Sequence, residues 1–317
     1  MMEIEQLNAN KYAQVFRKYS NIFSTPLFAQ LNESAFDDIK YLHFHVENKS
    51  KAGIILGKRN NTYYAPTLAP FSGITKINDT SHESVDCVIK LLSTLAKQEA
   101  ADISIVIPPL IYDSEFDNLV INSFFRSEFK IEGVDINYHI IVENTQEEYV
   151  EALMRNGRKN LRAGLKNNIT LIKDNSEEHI TEAYNIIQQN RIAKGYPLRM
   201  SLEKVLQTIE VVPADFFILK INERACAAAQ VFHVADGIVQ VIYWGDLPGN
   251  EDLRPMNVLA YKLHEYYMQN DIRIIDIGPS TENSVPNFGL CSFKKSIGCK
   301  TSLKYKFIYN NGGNKIS

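Results

Sequence analysis

Cysteine is scarce in this chain of 317 residues: four in all, Cys87, Cys226, Cys291 and Cys299. They lie far apart, with no CxxC pair and no histidine at metal-ligand spacing, so neither a zinc site nor a redox pair is expected and the expected metal is none. No apolar run approaches the roughly 18 residues of a spanning helix. The opening Met1–Gln6 is acidic rather than a basic segment leading into an apolar one, so the expected location is cytoplasmic, with no membrane span. A strong charge of one sign is also missing. At a formal net charge of -3 the whole molecule exerts no pull on nucleic acid or an anionic membrane, and such binding would need a local patch. Core material, in contrast, is ample: 45% of residues are hydrophobic, over a length that suits two domains.

Periodicity supplies the elements. A helix signal over about 8–20 precedes strands at 41–46, 52–58 and 62–66, and a helix over 84–100 has Val85, Val88, Leu92 and Leu95 on one face. A strand at 103–107, a helix at 115–125 and a strand region at 131–142 follow. The second half repeats the plan: helices at 147–166 and 177–193, strands at 169–172, 216–221, 225–233 and 238–244, a helix at 255–269 and a strand at 272–277. Asp102, Ile103, Ile105 and Val106 are echoed by Asp271, Ile272, Ile274 and Ile275 about 170 residues later, each time after a helix of similar length. Hairpin strands followed by helix, strand, helix and strand predict a mixed sheet with helices on its faces.

The densest run of chemistry lies near the end, where the strand 272–277 meets Gly278 and Pro279, then a polar loop, then Asn287-Phe288-Gly289-Leu290-Cys291-Ser292-Phe293-Lys294-Lys295 and a closing Gly298. Loops that leave the carboxyl ends of strands are where α/β domains usually bind ligands. This order, with an aspartate in the strand, Gly-Leu, a Phe-Lys pair and a final glycine, resembles the C-terminal signature of FemABX-like acyltransferases, a branch of the GNAT superfamily. The resemblance implies an α/β fold of tandem GNAT-like domains, each a mixed, mostly antiparallel sheet flanked by helices, expected at 1–145 and 146–317. It also implies that Lys294 sits near the reacting carbonyl, and that Tyr243, Trp244 and Asp246 end a strand that splays from its neighbour to admit the donor.

A basic stripe is the other candidate. On a helix over 147–166, Arg155, Arg158, Lys159, Arg162 and Lys166 fall within an arc of roughly 100°, with no acidic residue after Glu151 to relieve their repulsion. The stripe is either a solvated face or a phosphate-binding one, and Arg158-Lys159-Asn160-Leu161-Arg162 looks like the basic helix of the same family. Asp276 interrupts an apolar strand end and is either a buried, partnered carboxylate or a base. Lys295 and Phe293 flank Lys294 as substrate contacts or as ordinary surface and core residues. His233 and His264 read as structural.

Acyl-CoA enzymes of the superfamily carry a Q/R-x-x-G-x-G/A phosphate cradle after the splayed strand. Here 246–255 reads Asp-Leu-Pro-Gly-Asn-Glu-Asp-Leu-Arg-Pro, with one interior glycine and added carboxylates. The expectation is an N-acyltransferase or aminoacyltransferase with no tightly bound cofactor. Its donor is aminoacyl-tRNA or acyl-CoA, and its amine acceptor a small molecule or cell-envelope precursor. The alternative is a non-catalytic module that keeps the fold and a basic groove for a phosphorylated ligand.

Overall fold

A computed structural model describes residues 1–47, 49–77 and 80–312. The chain divides into two compact units, Met1–Ile136 with Ser302–Ser317, and Asn137–Thr301. The boundary expected at 145/146 thus falls inside a strand at 136/137, and the last residues return to the first unit.

In the first unit, β1 (Met2–Leu7), β2 (Asp38–Val46), β3 (Lys49–Arg59), β4 (Thr62–Ala65), the two-residue β5 (Thr75–Lys76), β6 (Asp102–Val106) and the beginning of β7 (Lys130–Ile141) are accompanied by α1 (Ala9–Val15), α2 (Pro26–Leu31), α3 (His82–Gln98) and α4 (Ser114–Phe125). The hairpin strands pair antiparallel, whereas β4 and β6 pair parallel through Thr62–Ala65 and Asp102–Ile105. Ser81 starts α3 by accepting the Ser84 N–H, and the periodic face Val85, Val88 and Leu92 packs with Phe44, Ile54, Leu56, Ile103 and Ile105. Each such side chain removed from water contributes roughly 1.5–3 kcal/mol.

The second unit holds the rest of β7, then α5 (Gln146–Ala152), α6 (Arg155–Gly164), β8 (Ile169–Lys173), α7 (Glu177–Lys194), α8 (Leu202–Ile209), β9 (Ala214–Ile221), β10 (Arg224–Ala235), β11 (Ile238–Asp246), α9 (Pro255–Met268), β12 (Ile274–Pro279), the short pair β13 (Thr281–Glu282) and β14 (Val285–Pro286), α10 (Phe288–Ser296) and the start of β15 (Lys300–Tyr309). Its strand order is β7-β12-β11-β10-β9-β8, with β11 and β12 the parallel pair. The two units therefore share a plan: antiparallel strands, one helix, then a parallel strand. The echo between 102–106 and 271–275 falls on the equivalent strands, although β12 begins a few residues later than the echo suggests.

Three differences from the sequence reading have local causes. The helix expected over 147–166 breaks at Leu153, whose backbone is extended, because the Met154 N–H turns out to the Ser296 carbonyl at 3.2 Å. β1 and α8 are additional, since Met2–Leu7 alternates charged and apolar residues without a β-branched run and 202–209 is short. β15 is additional too, and its Lys306–Tyr309 pairs antiparallel with Ile103–Val106, which is why the tail belongs to the first unit.

Candidate functional site

The site is built where the parallel pair of the second unit comes apart. β11 and β12 pair only through Ile238–Ile274, Val239–Ile275 and Gln240–Asp276, although β11 runs on to Asp246 and β12 to Pro279. A bulge between Gln230–Tyr243 and Val231–Val241 twists β11 away on one side. On the other, the β12–β7 register slips between Asp276 and Gly278, whose φ of 72° a glycine adopts without strain. Tyr243–Asp246, where a splay is expected, thus lie beyond the last β11–β12 pair, Gln240–Asp276.

Two buried groups hold the β12 side. Asp276, 0% exposed, accepts from Asn137 Nδ2 at 2.7 Å, Gln240 Nε2 at 2.8 Å and the Gly278 N–H at 2.9 Å. Of the two readings of Asp276, the enclosed and bonded carboxylate matches these contacts, with amides from both neighbouring strands fixing the strand end. Lys294, 2% exposed, donates to the carbonyls of Ile277 at 2.9 Å, Gly278 at 2.9 Å and Pro279 at 3.0 Å, with the Tyr138 ring 5.5 Å away. Burial lowers its pKa to about 8, while Cys299 and Asp276 pull it upward and Arg191 adds to the depression. Asn287 starts α10 by accepting the Leu290 N–H, and the helix then delivers Lys294 inward and Lys295 to solvent.

Arg191, on α7, holds the β11 side. Its guanidinium lies 5.3 Å from the Tyr243 ring and 5.9 Å from the Tyr196 ring, and its buried Nε has no hydrogen-bond partner. Burial lowers its pKa. Among the described residues no carboxylate comes within ion-pair distance of Arg191 or Lys294. Two buried side-chain atoms without a hydrogen-bond partner belong to the pair and its covering helix, Gln240 Oε1 on β11 and Arg191 Nε on α7, and others lie one strand further out, on Asn137 and His139 of β7 and Gln230 of β10. Such atoms are rare in native interiors.

Sequence reasoning missed Arg191. Its signal was available: on α7 it follows Ile180, Tyr184 and Ile187 at i+11, i+7 and i+4, so an arginine occupies the apolar stripe of its helix.

The other expected residues separate into groups. Trp244, half-buried, meets Phe293 edge to face at 6.1 Å, which brings the β11 end and the Phe-Lys pair together. Tyr243 packs its ring against Arg191; burial raises its pKa, opposed by the backbone of Arg199 and Met200 and by the Arg191 and Arg199 charges. Asp246, at the end of β11, is held to α7 by Asn190 Nδ2 at 2.8 Å and Lys194 Nζ at 3.1 Å. Arg155, Lys159 and Arg162 are exposed on α6 and Arg158 is half-buried, with no carboxylate partner among the described residues. α6 touches α10 where Gly157 meets the Ser296 carbonyl, so the two basic segments adjoin, while the Lys294 ammonium itself turns inward.

The loop before α9 agrees with the absence of a phosphate cradle. Glu251 Oε1 accepts the Gly249 N–H at 3.1 Å, and Pro255 at the first turn removes a donor. The cysteines are free, and burial pushes Cys299 up to about 12, so it is an inert thiol.

No family model matches the chain, and no curated protein matches its sequence. Solved structures do. FemX superposes with a TM-score of 0.69 at 12% identity over 97% of each chain. L-PGS from Bacillus licheniformis gives 0.55 at 15% identity over 98% of this chain and 94% of that one. A tandem GNAT protein from the clavulanic acid biosynthesis pathway gives 0.55 at 8% identity over 99% and 100%. The fold is therefore that of FemX and of the tandem GNAT protein.

Proposed function

We propose that the chain is an acyl- or aminoacyltransferase whose reacting carbonyl enters the split between β11 and β12. The observation that carries the reading is the pair of cations, the buried Lys294 and the half-buried Arg191, one on each side of the parallel pair beyond its last bridge and neither in an ion pair. In the transfer, the acceptor amine nitrogen bonds to the carbonyl carbon, the carbon–oxygen or carbon–sulfur bond to the carrier breaks, and the amine proton leaves with the carrier. Negative charge grows on the carbonyl oxygen meanwhile, and a single well-placed donor is worth roughly 3 kcal/mol there. Lys294 takes that role by exchanging one of its three carbonyl partners for the oxyanion. Arg191, sandwiched by two tyrosines, orients an anionic group of the substrate. Trp244 and Phe293 wall the entrance.

An aminoacyl-tRNA donor fits better than acyl-CoA. The carboxylate-bearing loop before α9 opposes a pyrophosphate, whereas α6 offers unpaired cations beside α10 to a polyanionic strand. The acceptor is an amine on a small molecule or envelope precursor. One observation favours the binding-module alternative: all three Lys294 ammonium hydrogens are already taken by carbonyls.

A donor panel separates these readings. Labelled aminoacyl-tRNA should yield amide product, acyl-CoA should not, and Arg158→Ala with Arg162→Ala should raise KM for the tRNA and flatten its salt dependence. Tight tRNA binding with no product from any donor would support the module instead.

A further inference from the structure

A second cluster of chemistry lies in the first unit, away from the split. Glu5 on β1 stands directly opposite His43 on β2, and His45 follows two residues later on the same face. Ligand atoms from these three side chains lie within 4.8 Å of one another. His43, 7% exposed, has Nδ1 at 3.2 Å from Glu5 Oε2 and Nε2 at 2.8 Å from Ser50 Oγ. The Phe16 ring closes one side edge-on at 5.9 Å. The His43 and His45 rings are 5.1 Å apart, and His45 Nδ1 is buried without a hydrogen-bond partner. Among the described residues Glu5 has no lysine or arginine ion pair.

We propose that Glu5, His43 and His45 form a three-ligand site for a divalent first-row metal, with Zn2+ the best fit. Two imidazoles and one carboxylate are a borderline donor set that suits Zn2+, Co2+ or Ni2+ and disfavours Mg2+ or Ca2+, which take oxygen. A tetrahedral zinc site with bonds of about 2.0–2.1 Å spaces its ligand atoms about 3.3 Å apart. The His43–Glu5 separation already matches this, and the third ligand needs only a side-chain adjustment. Ser50 fills the second-shell position: when Nε2–H donates to its hydroxyl, Nδ1 is left as a lone pair aimed at the Glu5 oxygen, an arrangement a cation relieves. Binding through Nδ1 would also give His45 the partner it lacks. The expectation of no metal site rested on the spacing of cysteines and of histidines near them, and passed over the i, i+2 pair His43 and His45, which a strand puts on one face.

A metal held here fastens β1, the outermost strand of its sheet, to β2, and it leaves a fourth position for water or an outside ligand. The test uses full-length protein free of any histidine tag and stripped with chelator. Calorimetry with Zn2+ and visible absorption with Co2+ are run on wild type, Glu5→Gln, His45→Ala and Ser50→Ala. One ion per chain is expected, with a Co2+ d–d spectrum lacking thiolate charge transfer and a Zn2+-dependent rise in Tm. Glu5→Gln and His45→Ala should each weaken affinity at least about tenfold, and Ser50→Ala by a similar or smaller factor. Glu5 is exposed, so Glu5→Gln keeps the test open if His45→Ala unfolds. No binding at millimolar ion, unchanged affinity in Glu5→Gln and His45→Ala, or a thiolate band would overturn the assignment.

Discussion

Lys294 carries a charge at some cost to the fold, and that gives it a pH signature. Burial holds its pKa at about 8 against an ordinary 10.5. Between those values the unfolded chain keeps a proton that the folded chain has lost, so this group's contribution to stability rises with pH through that window. Catalysis should run the other way. If the ammonium stabilises the oxyanion, kcat falls above a pH of about 8, and Lys294→Arg moves that limb upward or abolishes it; a flat profile to pH 10 would remove Lys294 from the chemistry. His264 gives a second residue-scale expectation. It is enclosed, stacked on Tyr149 at 4.3 Å, and accepts the Glu143 N–H on Nε2 at 3.0 Å; burial lowers its pKa to about 4. As pH falls from about 6.5 to about 4 the unfolded chain takes up a proton that the folded chain refuses, so stability should drop there. Urea titrations of wild type and His264→Gln should show that drop in the first and a shallower one in the second. His264 was readable as structural from its sequence neighbours, whereas Arg191 was not singled out because a lone arginine near a helix C-terminus is so often a dipole partner.

At the scale of elements, the junction of α6 and α10 sets the distance between the basic helix and the Phe-Lys pair. A Cβ on Gly157 would lie 2.0 Å from the Ser296 carbonyl oxygen, a backbone atom that cannot step aside, whereas one on Gly289 meets only Asn287 Oδ1 at 3.5 Å. Gly157→Ala should therefore destabilise by about 1–3 kcal/mol or more and reduce transfer. Gly289→Ala should be neutral or stabilising by up to about 1 kcal/mol. Denaturant midpoints for the pair decide this, and equal midpoints would mean that the junction is not close-packed. From sequence, Gly157 and Gly164 are weak points in one long helix over 147–166. The structure gives a different reason for the break: α5 begins at its own capping box, Thr145 with Glu148, and ends at Leu153, and α6 restarts with the Met154 N–H on the Ser296 carbonyl. Periodicity located nearly every helix and central strand because their apolar faces are long and regular. It could not show contacts made by backbone carbonyls, which carry no side-chain pattern.

At the scale of the whole molecule, the duplicated plan was legible from the order of elements and a short echo, and the FemABX-like resemblance from about ten residues near the end. The division of the chain was less so, since the tail's allegiance depends on β15 pairing with β6, a long-range choice with no local signal. Of the candidate site, the sequence made the Phe293-Lys294 pair and Trp244 visible through their motif, whereas the hydrogen bonds that hold Asp276 and the ion pair of Asp246 depend on partners distant in sequence. The account rests on the claim that the opened β11–β12 pair, flanked by Arg191 and Lys294, is where an acyl group changes hands. Single-turnover transfer from aminoacyl-tRNA, measured for wild type and Arg191→Met at matched folded fraction, tests this most directly. A loss of at least about a hundredfold in Arg191→Met, equivalent to roughly 2.7 kcal/mol, is the predicted result. An unchanged rate in that variant would contradict it.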